Sequence, residues 1–307
     1  MSTKSDTSIS TSSENMYDDD MDSYDGVESC DESLPTKFGT CPLGNIDYMI
    51  ENLTKDELER AARSSFEYQK NPDPSTKEFH ATEMAKRYID SKPDKVLALM
   101  KLKDTLSYRK SMDLDDMETM TRMNRTELHK FLTDKKAYVQ GYDIDGRSTY
   151  IFTPRLVTDH KDCARTLRGH VWSLEKAIAC TRSQDQTINI IIDFSGFSMY
   201  SHSPPFKVGK ELMTTLRKHY VGRINRIYLV DVPSTFSILW SLFSPFIGSK
   251  TKNKIIFVAK DTDTIMSSYY TKDQSTPWMH PEGQKQRQLD VDEYLNKLPF
   301  NKSFDDK

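Results

Sequence analysis

Cys163 has arginines close by in the run DCARTLRGH, which suggests an anion-handling thiol. A phosphatase-type loop needs cysteine and arginine six residues apart, and here the sixth position is Gly169. Cys163 therefore reads as an ordinary helix cysteine. Asp193 and Asp231 each stand at the end of an apolar run, where two carboxylates could share acid–base work. No partner base accompanies them, so turn or cap use is expected. The eleven glycines include no GxGxxG, GxxxxGK or GxSxG spacing, which argues against a phosphate cradle and a nucleophile elbow. The seven histidines show no HExxH or HxxxH spacing, and Cys30, Cys41, Cys163 and Cys180 include no CxxC pair. No metal site or cofactor is expected, and the reading is of a non-enzymatic protein.

Composition narrows the class further. Of the 307 residues, 36% are apolar and 29% charged, with 43 basic against 46 acidic side chains. The net charge of -3 gives no global grip on nucleic acid, so none is expected as a partner. The N-terminus lacks the apolar core of a secretory signal. The most apolar stretch, Phe236–Ile247, is interrupted by serines and a proline and falls short of the ~18 residues a spanning helix needs. With no disulfide framework, reduced thiols in a cytosolic monomer are expected.

The elements that must position any site follow from periodicity. Residues 1–44, rich in serine, threonine and acids, cannot bury enough apolar surface to offset their ordering entropy and should form a disordered tail. Residues 45–133 read as a helical unit. Thr54 and Glu57 form a capping box before a helix running to about Gln69, and Asn71-Pro72-Asp73-Pro74 breaks the pattern. Further helices are expected over 76–90, from Pro93 at position N1 of the next, around Leu114–Met120, and from Arg125 to Leu132. The period then changes. Residues 137–142 and 148–153 read as strands around the turn Asp143–Arg147. Strands at 188–194, 226–232 and 254–259 alternate with amphipathic helices, which means a mixed α/β sheet with crossover helices over 134–260. Residues 261–307 read as a polar insertion loop followed by a short docking helix and tail.

Four stretches carry a resemblance to a known family. Arg87-Tyr-Ile-Asp-Ser-Lys92 with Ser107-Tyr-Arg-Lys110 resembles its RFLRARKFD…WRK pattern. Asp143–Arg147 followed by Tyr150 resembles DKDGRPVY, and Ile191–Gly196 resembles IxDxxG. The run HYVGRINRIYLVDVPSTFSILWSLFSPFIGSKTKNKI is similar to YYPERxGKIYIINAPxxFxxxWxxxKPFLxxxTxxKI over nearly the whole stretch His219–Ile255. On these residues the segment from about Lys86 to Lys260 resembles the CRAL-TRIO lipid-binding family, whose members include secretory phosphatidylinositol-transfer proteins.

The resemblance implies a small helical unit on an α/β domain that encloses a lipid pocket. It implies a pocket floor with Tyr150, Leu174, Ile188, Ile190 and Leu229. It also implies a mobile gate helix bearing Phe236, Leu239, Trp240, Phe243 and Phe246, which would meet a membrane surface transiently. Arg223, Thr251 and Lys254 match head-group positions, suited to a lipid phosphate. Gly222 stands where inositol-binding members carry a glutamate. Leu174, Ile188 and Ile190 stand where choline-lipid binders carry polar groups. Intermembrane transfer of a hydrophobic lipid, a phospholipid such as phosphatidylinositol, is the implied function, with cytoplasmic, peripherally membrane-associated placement. A membrane-recruited scaffold and a carrier of a neutral isoprenoid are the alternatives.

Overall fold

The computed structural model describes residues 43–92, 94–133, 136–157, 162–203, 206–259, 266–271 and 290–296. The expected tail lies outside them but for its last two residues, and so do most of the insertion loop and the residues after 296.

Helix α1 (Leu43–Glu51) leads into α2 (Lys55–Ala62), which opens on the expected capping box: the Thr54 hydroxyl accepts from the Glu57 amide and the Glu57 carboxylate accepts from the Thr54 amide. The expected run to Gln69 does not hold. The backbone turns at Arg63–Ser65 and restarts as α3 (Phe66–Lys70). The freed carbonyls explain the break. Arg63 O accepts from Gln69 and Arg109, and Ser64 O accepts from Arg223. Partners far along the chain thus override local helix propensity. Helix α4 (Lys77–Ser91) follows, then α5 (Lys95–Ser111). The Asp94 carboxylate caps the amides of Val96 and Leu97 at the start of α5, and Pro93, expected at N1, lies outside the described residues. Helices α6 (Met117–Met123) and α7 (Arg125–Thr133) complete the run, with Met117, Met120 and Leu128 buried as core.

Five strands form one sheet in chain order: β1 (Ala137–Tyr142), β2 (Ser148–Phe152), β3 (Ile188–Asp193), β4 (Ile224–Val230) and β5 (Ile255–Val258). The β1–β2 hairpin is antiparallel and all other pairs are parallel. The crossovers are α8 (Cys163–Cys180), then α9 (Met199–His202) with α10 (Phe206–His219), then α11 (Phe236–Phe243) with a 3-10 turn at Ser244–Phe246 and α12 (Ser249–Lys252). Strands added in one direction by crossovers of one hand leave the helices on one face. Residues of α8, α10 and α11 do pack on that front face.

Register places Tyr150, Ile190 and Ile227 side by side on the front, and next to them Ile192, Leu229 and Phe257. The back face carries Ile151, Ile191, Tyr228, Val230 and Val258. Met266, Tyr269 and Tyr270 pack against it, with Ile144 N donating to Tyr269 O at 2.9 Å. Part of the segment expected as a polar loop is therefore back-face core. Helix α13 (Val291–Asn296) supplies the expected short docking helix. Its Tyr294 is buried, accepts from the Val139 amide at 2.7 Å, and offers its carbonyl to the buried Lys176 ammonium at 2.5 Å.

Candidate functional site

The front face of the sheet divides into two zones. Under α8, the side chains of Tyr150, Leu174, Ile188 and Ile190 belong to one cluster with Val171, Trp172 and Ala177. All four residues are at most 5% exposed. Ile188 and Ile190 point together toward the helix bearing Leu174, as their period-two spacing requires. The polar feature of this zone is the Tyr150 hydroxyl, 2.5 Å from Nδ1 of His170. Burial lowers His170 to about 3 and raises Tyr150, so both are neutral. His170 was not singled out by sequence, because a lone histidine in an amphipathic helix carries no spacing signal.

Under α11 the packing differs. Leu229 and Leu239 are buried with Phe194 and Phe197, but Ile192, Ile227 and Ile255 on the same sheet face are only half-buried. Their back-face neighbours Ile191, Tyr228 and Val230 are at most 1% exposed. On β3 and β4 the front face thus keeps accessible apolar surface that the back face lacks, while on the edge strand β5 the back-face Ile256 is half-buried as well. Ile192 and Ile227 could be placed on this face by alternation; Phe194, Phe197 and Ile255 could not be assigned to it without the fold.

Helix α11 is apolar nearly all round. Phe236 meets Phe194 edge-on at 5.2 Å between centroids and Phe257 at 5.9 Å. Trp240 stands 6.4 Å from Phe257. Phe243 and Phe246 both pack on Phe206 of α10. On the outer side Ile238 is 58% exposed and Leu242 44%. A helix that buries one apolar side and displays another has two environments to satisfy.

The three matched polar residues are placed as follows. Thr251, in α12, and Lys254, just before β5, share one tight turn, with Lys254 N donating to Thr251 O at 3.1 Å. The Lys254 ammonium donates to Ile224 O at 2.5 Å, and burial lowers its pKa. Arg223 turns inward instead. Its guanidinium donates to Gln186 Oε1 at 3.0 Å, Gln186 O at 3.3 Å and Ser64 O at 3.4 Å. Burial pushes its pKa down to about 9, with Arg87 nearby adding to the shift. Thr251 and Lys254 are thus brought together, and the Arg223 guanidinium is held apart by partners on α2–α3 and the β3 approach.

Arg223 lines a small cavity between the helical unit and the sheet, with Arg87, Tyr88, Arg109, Glu175 and Tyr220 among the other walls. At about 20 Å³ it has room for a water, not for a lipid. Arg109 of α5 places Nη1 3.1 and 3.2 Å from the two carboxylate oxygens of Glu175 on α8 and donates to Leu114 O at 2.7 Å. Asp193 serves its turn, accepting from the Ser195 amide at 2.9 Å. Cys163 is the first residue of α8. Among the described residues no helix is long and apolar enough to cross a membrane.

With this geometry in hand, the comparisons with known proteins are specific. Residues 132–276 match the CRAL/TRIO domain. A CRAL-TRIO domain-containing protein of Schizosaccharomyces pombe is 29% identical over 178 residues, 58% of this chain and 16% of that one. The SEC14 cytosolic factor of Kluyveromyces lactis is 30% identical over 154 residues, 45% of this chain and 48% of its own length. An alpha-tocopherol transfer protein-like protein of Homo sapiens is 25% identical over 113 residues, 36% of this chain and 33% of that one. The matches span less than half the length of each of these relatives. The crystal structure of Sfh5 superposes with a TM-score of 0.60 over 86% of this chain and 92% of that one, at 14% identity, a likeness of fold. The α/β sheet, its one-sided helices and these matches agree: residues 132–276 of this chain resemble the CRAL/TRIO domain in sequence, and the fold is that of Sfh5.

Proposed function

We propose that the chain binds one hydrophobic lipid between the front of the sheet and the cover formed by α10 and α11, and exchanges it at a membrane surface. The observation that carries this reading is the half-buried Ile192, Ile227 and Ile255, which lie beneath helices yet keep accessible surface. Each methylene moved from water onto such a surface contributes about 0.8 kcal/mol, so a sixteen-carbon chain gains on the order of 13 kcal/mol if fully enclosed. An open groove leaving half of it wet forfeits about half of that. A cover that closes is therefore needed, and α11, with Ile238 and Leu242 exposed, suits a helix that opens against a bilayer.

The proposed ligand is a phospholipid such as phosphatidylinositol, with its phosphate at Thr251 and Lys254. Charge-assisted hydrogen bonds of about 1.5–3 kcal/mol would favour that contact. The inward Arg223 supports a second reading, a neutral isoprenoid, because it leaves that rim with one fewer cation. The SEC14 relative is named a cytosolic factor, and a cytoplasmic, peripheral place is proposed here too.

Native mass spectrometry of the purified chain, with extraction of the bound lipid, tests the central claim; a chain recovered empty and unable to load from vesicles would refute it. Vesicle transfer of phosphatidylinositol and of a neutral isoprenoid by wild type and Lys254→Ala separates the ligands. A phosphate at Lys254 means a loss of roughly ten- to hundredfold for phosphatidylinositol alone. Equal transfer of phosphatidylinositol by the variant would remove the phosphate assignment.

A further inference from the structure

Helix α10 carries a glycine as its fourth residue, Gly209, where alanine would support the helix better. The reason lies across the interface. A β-carbon built on Gly209 would stand 2.4 and 2.5 Å from Cε1 and Cζ of Phe243, far inside van der Waals contact. The Phe243 ring therefore occupies the space that any other residue would fill. Phe206, Gly209 and Lys210 fall at i, i+3 and i+4, so they share one face of α10. Phe206 lies 5.8 Å from Phe243, at 28° between ring planes, and 5.9 Å from Phe246. The Lys210 ammonium sits 5.3 Å over the Phe246 ring. Together they make a socket whose floor is the missing methyl. The other end of α11 is held separately, by Phe236 on Phe194 and Phe257.

From this contact we infer that Gly209 is a positioning residue that latches α11 closed by admitting Phe243 against α10. The inference rests on the reading of α11 as the movable cover of a lipid site. The latch has a signature that a merely structural glycine lacks. Alanine at 209 supports α10 by its helix propensity and simultaneously evicts the Phe243 ring, so the two neighbouring helices respond with opposite sign.

Hydrogen exchange followed by mass spectrometry on the full chain reads each helix separately. In Gly209→Ala, amides of 236–246 are expected to exchange about tenfold faster or more, the effect that overpacking of a close contact implies. Amides of 206–219 should exchange no faster, and those of β3 should match wild type, which checks the fold. Phe243→Leu alone should also speed exchange in 236–246. In the double variant the smaller side chain leaves room for the new methyl, so exchange there should be slower than in Gly209→Ala alone. Unchanged exchange over 236–246 in Gly209→Ala, or a double variant that simply sums the two singles, would overturn the latch. Transfer of a fluorescent phospholipid between vesicles gives the second readout, and Gly209→Ala should transfer faster. If exchange responds as expected but wild type and variants carry no lipid, the packing contact stands and the lipid-cover reading falls.

Discussion

Replacing Arg109 by methionine removes one side of a buried ion pair and leaves the other in place. The two side chains are 7% and 6% exposed, and the guanidinium holds both oxygens of Glu175 as well as the Leu114 carbonyl. In Arg109→Met the Glu175 carboxylate stays buried beside the Tyr220 hydroxyl, which has no hydrogen-bond partner of ordinary geometry. Stranding one member of a buried pair costs about 3–5 kcal/mol, because the remaining charge has lost its water and its partner alike. The same accounting predicts that the double variant Arg109→Met with Glu175→Met recovers part of the loss, since apolar residues can replace a buried pair at little cost while Asp115, 3.7 Å from Arg109 Nε, keeps only Arg60 as its cation. Urea denaturation followed by tryptophan fluorescence is the assay. With a slope of roughly 3 kcal/mol per molar, the single variant's midpoint should fall by about 1–1.7 M. A single variant within about 1 kcal/mol of wild type would mean that the pair is solvated and not a junction between helical unit and sheet. A double variant worse than either single would show that the pair acts through more than mutual neutralisation.

Two further outcomes are expected. His170 is held neutral by burial, its pKa lowered from 6.5 to about 3, so as pH falls through that window the unfolded chain takes up a proton that the native state refuses. Native stability should therefore fall on acidification by up to about 1.4 kcal/mol per pH unit from this group. His170→Asn should flatten that limb; urea midpoints at about pH 7 and pH 5 that move in parallel with wild type would contradict the assignment. A chain beginning at Asn45 keeps the buried Ile46 and Met49 of α1 and should transfer lipid as the full chain does. Loss of transfer by a shortened chain that still folds would give the first 44 residues a part in the activity.

Much of the architecture is written locally and can be read without the fold. The Thr54–Glu57 box, the Asp143–Arg147 turn between β1 and β2, and the alternation of Ile188, Ile190 and Ile192 each rest on interactions within a few residues. Those are the terms that composition and spacing express. Within a strand, the faces shared by Ile188, Ile190 and Ile192 and by Ile227 and Leu229 were legible in the same way, whereas only the pairing register put Tyr150, Ile190 and Ile227 side by side.

What the fold decided is what depends on partners distant in sequence. The α2–α3 break serves arginines 46 and 159 residues away. The direction of Arg223 is set by Gln186 and Ser64, so its resemblance to a head-group residue did not reveal that its guanidinium turns inward. Met266, Tyr269 and Tyr270 sit in a polar stretch, and only the back face of the sheet makes them core. Gly209 looks like any glycine in an amphipathic helix until the Phe243 ring is seen against it. Local spacing determines which elements form and which face each presents. Steric fit and the satisfaction of buried polar groups across the chain determine where those faces meet, because these depend on distances that exist only once the chain is folded.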